Sequence, residues 1–173
     1  VEAPKGINVL TRLTLSAYGY DIGAMISQKA KYALRALLAL AEAPDDEPVM
    51  IAQIAAQEVI PRKFLEQILL ELKHKGLVIS RRGKAGGYLL LRRPETVTFG
   101  EVLRLMDGPL APLPCLSKMA YRRCSDCASE QACKIRHVFA EVAEATREIL
   151  DKRSLADALG SRSLLDQIKT PAD

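Results

Sequence analysis

The stretch PRKFLEQILLELKHKGLVISRRGKAGGYLLL, residues 61–91, decides the fold. Phe64, Leu65, Ile68, Leu69 and Leu72 recur at helical spacing, so its first half predicts an amphipathic helix. Pro61 suits the first helical position, where an amide hydrogen is not needed. Gly76 suits the stop, where a left-handed residue closes the last turn. Residues 77–80 and 88–91 are short apolar β-like runs. Arg81-Arg82-Gly83-Lys84-Ala85-Gly86-Gly87 joins them as a hairpin with a flexible basic tip.

Upstream of this stretch, Ser27 is placed to cap a helix running to about Ala43, with Ala30, Leu34, Leu37, Leu38 and Ala41 as its apolar stripe. Pro44-Asp45-Asp46-Glu47-Pro48 reads as a turn. A short helix over 51–58 follows, with Ile51, Ile54 and Ala55 on one face. Two short helices, a tight turn and a two-stranded hairpin make the winged helix-turn-helix layout. In that layout a helix enters the major groove by its amino-terminal end, and the hairpin tip reaches the flanking backbone or minor groove.

The charge distribution agrees. The chain of 173 residues has a formal net charge of only +4. From Pro61 to Arg93, however, Arg62, Lys63, Lys73, Lys75, Arg81, Arg82, Lys84, Arg92 and Arg93 are opposed only by Glu66 and Glu71. Outside the apolar stripe, Arg62 and Lys63 occupy the groove-facing end of the helix. Gln67 is suited to adenine and Glu66 to cytosine. Arg81, Arg82, Gly83 and Lys84 form the wing tip. The candidate partner is double-stranded DNA.

Downstream, Thr98 starts a helix through about Asp107, with Val102, Leu103 and Met106 apolar, and a Pro-rich loop follows. From about Gln131 a long helix runs to Lys152. Ile135, Val138, Val142, Ala145 and Ile149 step along it by three and four, a narrow seam that predicts a homodimer. Ser154 caps a last short helix containing Leu155 and Leu159. The expected fold is mostly α with a small β-hairpin wing. It comprises an upstream extension (1–24), a winged helix-turn-helix domain (25–107), a cysteine-containing sensor loop (108–130), a dimerisation helix with a closing helix (131–160) and a polar tail (161–173).

Cys115, Cys124, Cys127 and Cys133 lie within the loop and the start of the long helix. Four thiols suit a tetrathiolate site, and spacing alone does not choose between zinc and an iron–sulfur cluster. A third reading is thiol–disulfide sensing by the Cys124-x-x-Cys127 pair, with Lys118, Arg122 or Arg123 lowering a thiol pKa. His74, among Lys73 and Lys75 at a helix end, reads as a solvated residue. No set of residues suggests an enzyme. No run approaches the roughly 18 apolar residues of a membrane span, and residues 1–24 lack a signal-peptide pattern. A cytoplasmic protein is therefore expected, with its thiols kept reduced.

Several segments, in order, resemble IscR-type regulators of the Rrf-two family. They are Met25-Ile26-Ser27-Gln28-Lys29-Ala30-Lys31-Tyr32-Ala33-Leu34, Phe64-Leu65-Glu66-Gln67-Ile68-Leu69, Lys75-Gly76-Leu77-Val78, Ser80-Arg81-Arg82-Gly83, Gly86-Gly87-Tyr88-Leu89 and Ser154-Leu155-Ala156-Asp157-Ala158-Leu159. The resemblance implies dimeric transcription regulators whose long helices cross between subunits. Residues matching Phe64, Glu66 and Gln67 would read the major groove, and those matching Arg82 and Gly83 would enter the minor groove. Lys29 completes the candidate DNA contacts. Pro61 stands where relatives often have Ser, which removes a side-chain phosphate contact.

The resemblance also tilts the cysteine reading toward a [2Fe–2S] or [4Fe–4S] cluster held by three cysteines and a variable fourth ligand. Cys127 and Cys133 match the family spacing, while Cys115 lies further upstream and Cys124 closer than usual. His137 follows Cys133 with one residue more between them than the ligating His of relatives. Four cysteine ligands are the first choice and His137 the second. The expected function is a dimeric, sequence-specific repressor sensing redox or iron–sulfur status. Alternatives are a regulator without a cluster, or a metal or redox protein without DNA binding.

Overall fold

The computed structural model describes residues 26–44, 46–83 and 85–160. The upstream extension, Met25, the polar tail and Lys84 lie outside the described residues. The elements are α1 (Gln28–Glu42), α2 (Ile51–Gln57), α3 (Arg62–His74), β1 (Val78–Arg81), β2 (Gly87–Leu90), α4 (Phe99–Asp107), α5 (Lys134–Lys152) and α6 (Leu155–Gly160). Short 3₁₀ turns occupy Pro94–Thr96 and Pro114–Leu116. Among the described residues no helix is long and apolar enough to cross a membrane.

Helix α1 is the hub. Ser27 caps it by accepting the Ala30 N–H at 3.0 Å. It packs against α3, α4, α6 and β2. The single stripe expected from sequence is therefore too narrow. Ala33, Ala36, Ala39 and Leu40 are buried as well, while Leu38 and Ala41 are half-buried. Alanine's small side chain lets several neighbours approach one helix at once, so a central helix is covered on more than one face. Fully buried Leu37, Ile54, Leu65, Leu69, Leu72 and Leu103 fill the space around it, each contributing about 1.5–3 kcal/mol by leaving water.

Helix α3 starts one residue later than expected, with Pro61 as its cap position. It ends in a Schellman motif: Leu77 N–H donates to the Leu72 carbonyl at 3.0 Å and Gly76 N–H to Lys73 at 3.1 Å. Gly76 has φ +72°, a conformation that costs a residue with a Cβ about 1–2 kcal/mol. Helix α2 ends similarly, with Ile60 N–H on the Ala55 carbonyl at 3.0 Å. Here Val59, at φ +51°, holds the left-handed position.

The wing is an antiparallel pair with Val78 opposite Leu90 and Arg81 opposite Gly87. Val49 adds a third element, exchanging two 2.9 Å hydrogen bonds with Tyr88. One paired residue after Pro48 carries no periodic signal, so the sequence reading missed it. A Cβ on Gly87 would collide with the Val49 backbone. That glycine is required by close approach, not by a left-handed backbone.

Helix α5 starts at Lys134, with Cys133 at its cap, three residues later than expected. Arg104–Asp151, at 2.6 Å, ties it to α4. Helix α6 returns to the winged core. Its capping box pairs Ser154 with Asp157, Leu155 N–H reaches the Val97 carbonyl at 2.9 Å, and Leu155 is fully buried beside α1. The hydrogen bonds from Ser154 hold the Asp157 carboxyl below its ordinary range.

Candidate nucleic-acid interface and cysteine loop

Because Leu65, Ile68, Leu69 and Leu72 anchor α3 to the core, its opposite face is solvent-facing. Arg62, Lys63, Glu66 and Gln67 are all exposed there. Arg62 pairs with Glu66 one turn on, at 3.3 Å. A pair this exposed holds only about 0–1 kcal/mol, so either group exchanges readily for a phosphate or base. Lys63 and Arg82 are exposed without a hydrogen-bond or ion-pair partner among the described residues. A groove runs between the start of α2, Arg62 and the wing, floored by Ser80, Gly86, Gly87 and Tyr88.

Other predicted contacts are already engaged within the protein. Lys29 Nζ donates to Glu71 at 3.0 Å and to the Met106 carbonyl at 3.2 Å, joining α1 to α3 and α4. Arg81 donates to the Asp46 carbonyl and carboxylate at 3.0 and 3.1 Å, fastening the wing to the α1–α2 turn. Phe64 is half-buried and meets Tyr32 edge-on, with ring centroids 5.7 Å apart. Asp46 and Tyr32, which position these groups, were not singled out by sequence. The acidic turn was visible, but its partner lies 35 positions away.

The cysteine loop folds back under α5. Arg122 N–H donates to the Pro114 carbonyl at 3.2 Å, laying residues 122–124 beside the Pro114–Leu116 turn. Cys115 in that turn is buried, and Cys124, Cys127 and Cys133 are half-buried. Arg123 donates to the Cys127 and Ala128 carbonyls at 3.0 and 3.2 Å. Cys133 caps α5, its Sγ accepting the Arg136 N–H at 3.4 Å.

Partial burial, then the neighbouring Cys115 thiol, pushes the Cys124 thiol above its ordinary value. Partial burial, then Cys133, does the same to Cys127, against a smaller downward pull from Arg123. The lowered thiol that the basic neighbours suggested is not found at either position. Burial outweighs Arg123, and Lys118 is turned toward Glu144, at 3.7 Å.

Cys115 and Cys127 thus both act on Cys124, and Cys133 acts on Cys127. Among the described residues no three His, Cys, Asp or Glu side chains come together where they would hold a metal ion. His137, exposed on α5, belongs to no such group either.

A helix-turn-helix with a basic wing defines a winged-helix DNA-binding regulator. The family model described as "Rrf2: Iron-dependent Transcriptional regulator" matches residues 26–161, and the chain belongs to the Rrf2 family. It is 51% identical to an rrf2-like HTH-type transcriptional regulator of Rhodobacter capsulatus over 79% of this chain and 93% of that one. It is 31% identical to the HTH-type transcriptional regulator CymR of Bacillus subtilis over 76% of this chain and 87% of that one. The solved structure of B. subtilis CymR, titled the global cysteine regulator, superposes with a TM-score of 0.66 at 29% identity, over 78% of this chain and 95% of that one. That of T. potens IscR superposes with a TM-score of 0.62 at 27% identity, over 87% and 96%.

Proposed function

We propose that this transcription regulator binds a two-fold DNA site as a homodimer, represses from that site, and is controlled through the thiols of its cysteine loop. The observation that carries the reading is the joint exposure of Arg62, Lys63, Gln67 and Arg82 on α3 and the wing. Lys63 and Arg82 lack protein partners among the described residues. These groups supply phosphate contacts, and Gln67 supplies a base-reading amide. Lys29 and Arg81 act instead as positioning residues that hold α1 and the wing in place.

Dimerisation is supported by α5. Ile135, Val138 and Ile149 are 62%, 63% and 60% exposed on one face, and Val142 is 48% exposed. Leaving such a seam in water forgoes about 25 cal/mol per Å² of apolar surface. A second copy of the same seam covers it and sets the two winged domains at a fixed spacing. Control through the loop is supported by its attachment to this helix, through the Cys133 cap and through Arg147, which donates to the Leu116 carbonyl at 3.4 Å.

The test is a salt-titrated binding assay on DNA from upstream of the chain's own gene. Binding falls steeply with salt, and Lys63→Ala and Arg82→Ala each lower the salt slope by about one. Affinity indifferent to salt and to both substitutions overturns the reading. In vitro transcription from the same DNA reports repression directly.

A further inference from the structure

Met50 opens α2, and neither capping nor core packing accounts for its side chain. Cap positions favour Ser, Thr, Asp or Asn, whose side-chain oxygen accepts a free amide hydrogen; a thioether is a weak acceptor. The Met50 N–H is held by Gln53, whose Oε1 accepts it at 3.0 Å. The backbone is extended here, with φ −68° and ψ 141°. Val49 and Ile51, on either side, are half-buried against the core. Met50 is 47% exposed. Two hydrogen bonds between Val49 and Tyr88 fix the backbone just before it, so its outward position is built into the wing.

The surroundings of Met50 are basic. It lines the groove between α2 and the wing with Arg62, Ser80, Gly86, Gly87 and Tyr88. Arg62 has only its exposed pair with Glu66 to give up. Lys73 Nζ donates to Ser80 Oγ at 2.7 Å, bringing a second exposed cation to the groove floor. Gly86 and Gly87 put no side chain in the way.

With α3 in the major groove and the wing tip in the next minor groove, one sugar–phosphate strand divides the two. The groove lies between those two elements, so that strand is what it receives. Such a strand alternates charged phosphates with deoxyribose rings, whose carbon faces are its apolar part. We infer that the groove seats one DNA strand, with Arg62 meeting a phosphate and Met50 packing on the neighbouring deoxyribose. The three rotatable bonds of Met50 let it follow the ring surface. Met50 is thereby a contact for affinity rather than for base choice. This assignment rests on the DNA-binding reading above.

The test is hydroxyl-radical footprinting of the full chain on its upstream DNA. The radicals cut by attacking deoxyribose hydrogens, so they report which sugars are covered. The unsubstituted chain protects a short run of sugars between the stretches covered by α3 and by the wing tip. Met50→Ala opens that run and leaves the rest protected. It weakens binding about fivefold with the salt slope unchanged, because apolar burial releases no counterions, whereas Arg62→Ala lowers the slope by about one. Met50→Leu keeps the affinity. Met50→Gln, as long but polar, does not, and it carries the same footprint reading should Met50→Ala fail to fold. Leu91→Ala removes a side chain 53% exposed in a separate cleft beside Pro44 and Arg93, and it leaves affinity within about twofold, since it takes no apolar surface from the groove. A Met50→Ala footprint identical to that of the unsubstituted chain overturns the inference, whatever the affinity. So does a loss matched by Leu91→Ala, or one that vanishes when thymines are replaced by uracil, which would make Met50 a reader of base methyls. An unsubstituted chain whose binding ignores salt removes the DNA-binding reading itself.

Discussion

In the winged core Leu37, Ile54, Leu65, Leu69 and Leu72 are all shielded from solvent, whereas on α5 Ile135, Val138, Val142 and Ile149 stand about half exposed or more. Both regions are helical and carry apolar residues at helical spacing. The difference lies in what surrounds each helix. α1 is enclosed by α3, α4, α6 and the wing, while α5 rests on α4 and the Pro114–Leu116 turn and buries only Ala143. Similar amphipathic patterns thus have opposite outcomes: one completes a domain, the other leaves an apolar seam exposed. The same contrast governs charge. Lys29 and Arg81 are engaged within the winged core, and Lys63 and Arg82 are left for a ligand.

Four substitutions probe this contrast, from the largest expected effect to the smallest. Leu37→Ala opens a cavity at the hub and lowers unfolding free energy by about 2–5 kcal/mol; urea denaturation measures it, and a loss below 1 kcal/mol would place the hub elsewhere. Val138→Asp leaves the winged core folded but converts dimer to monomer by sedimentation. It also weakens binding to a two-fold site by about 100-fold, or about 2.7 kcal/mol, because the second half-site no longer binds in concert. If Val138→Asp instead unfolded the chain as Leu37→Ala does, the two regions would not differ as described.

Gly87→Ala forces β2 away from Val49 and costs about 1–3 kcal/mol, as overpacking does. Its thermal shift separates a packing requirement from simple loop flexibility, which Ala would tolerate. Val59→Gly acts in the other direction. Val59 is 78% exposed and has a left-handed backbone, so glycine relieves strain at little packing loss and stabilises by about 1 kcal/mol. A neutral or destabilising result would show that the left-handed backbone costs valine no more than glycine's greater freedom costs the folded state.

Much of the fold was legible because its signals are local. Ser27, Thr98 and Ser154 cap helices within three residues of their own positions, and Gly76 closes α3 through its immediate neighbours. Of the site, the exposed end of α3 was legible for the same reason: anchoring one face of a helix sets the other. The cysteine loop was less so. Composition showed four thiols, and spacing suggested one centre. Neither showed that Cys115 is buried while the other three are half-buried, or that Arg122 ties its stretch of the loop to the Pro114–Leu116 turn.

The sequence by itself determined the order of helices, the hairpin, the basic surface and the apolar seam, since each follows from periodicity, capping and turn chemistry over a few residues. The tertiary structure decided which basic groups are free, that Val49 extends the wing, that α6 returns to the core and which thiol is buried. Those choices join positions as far apart as Lys29 and Met106 or Val97 and Leu155. They depend on burial and on partners that meet only once the chain has packed, so no local pattern encodes them.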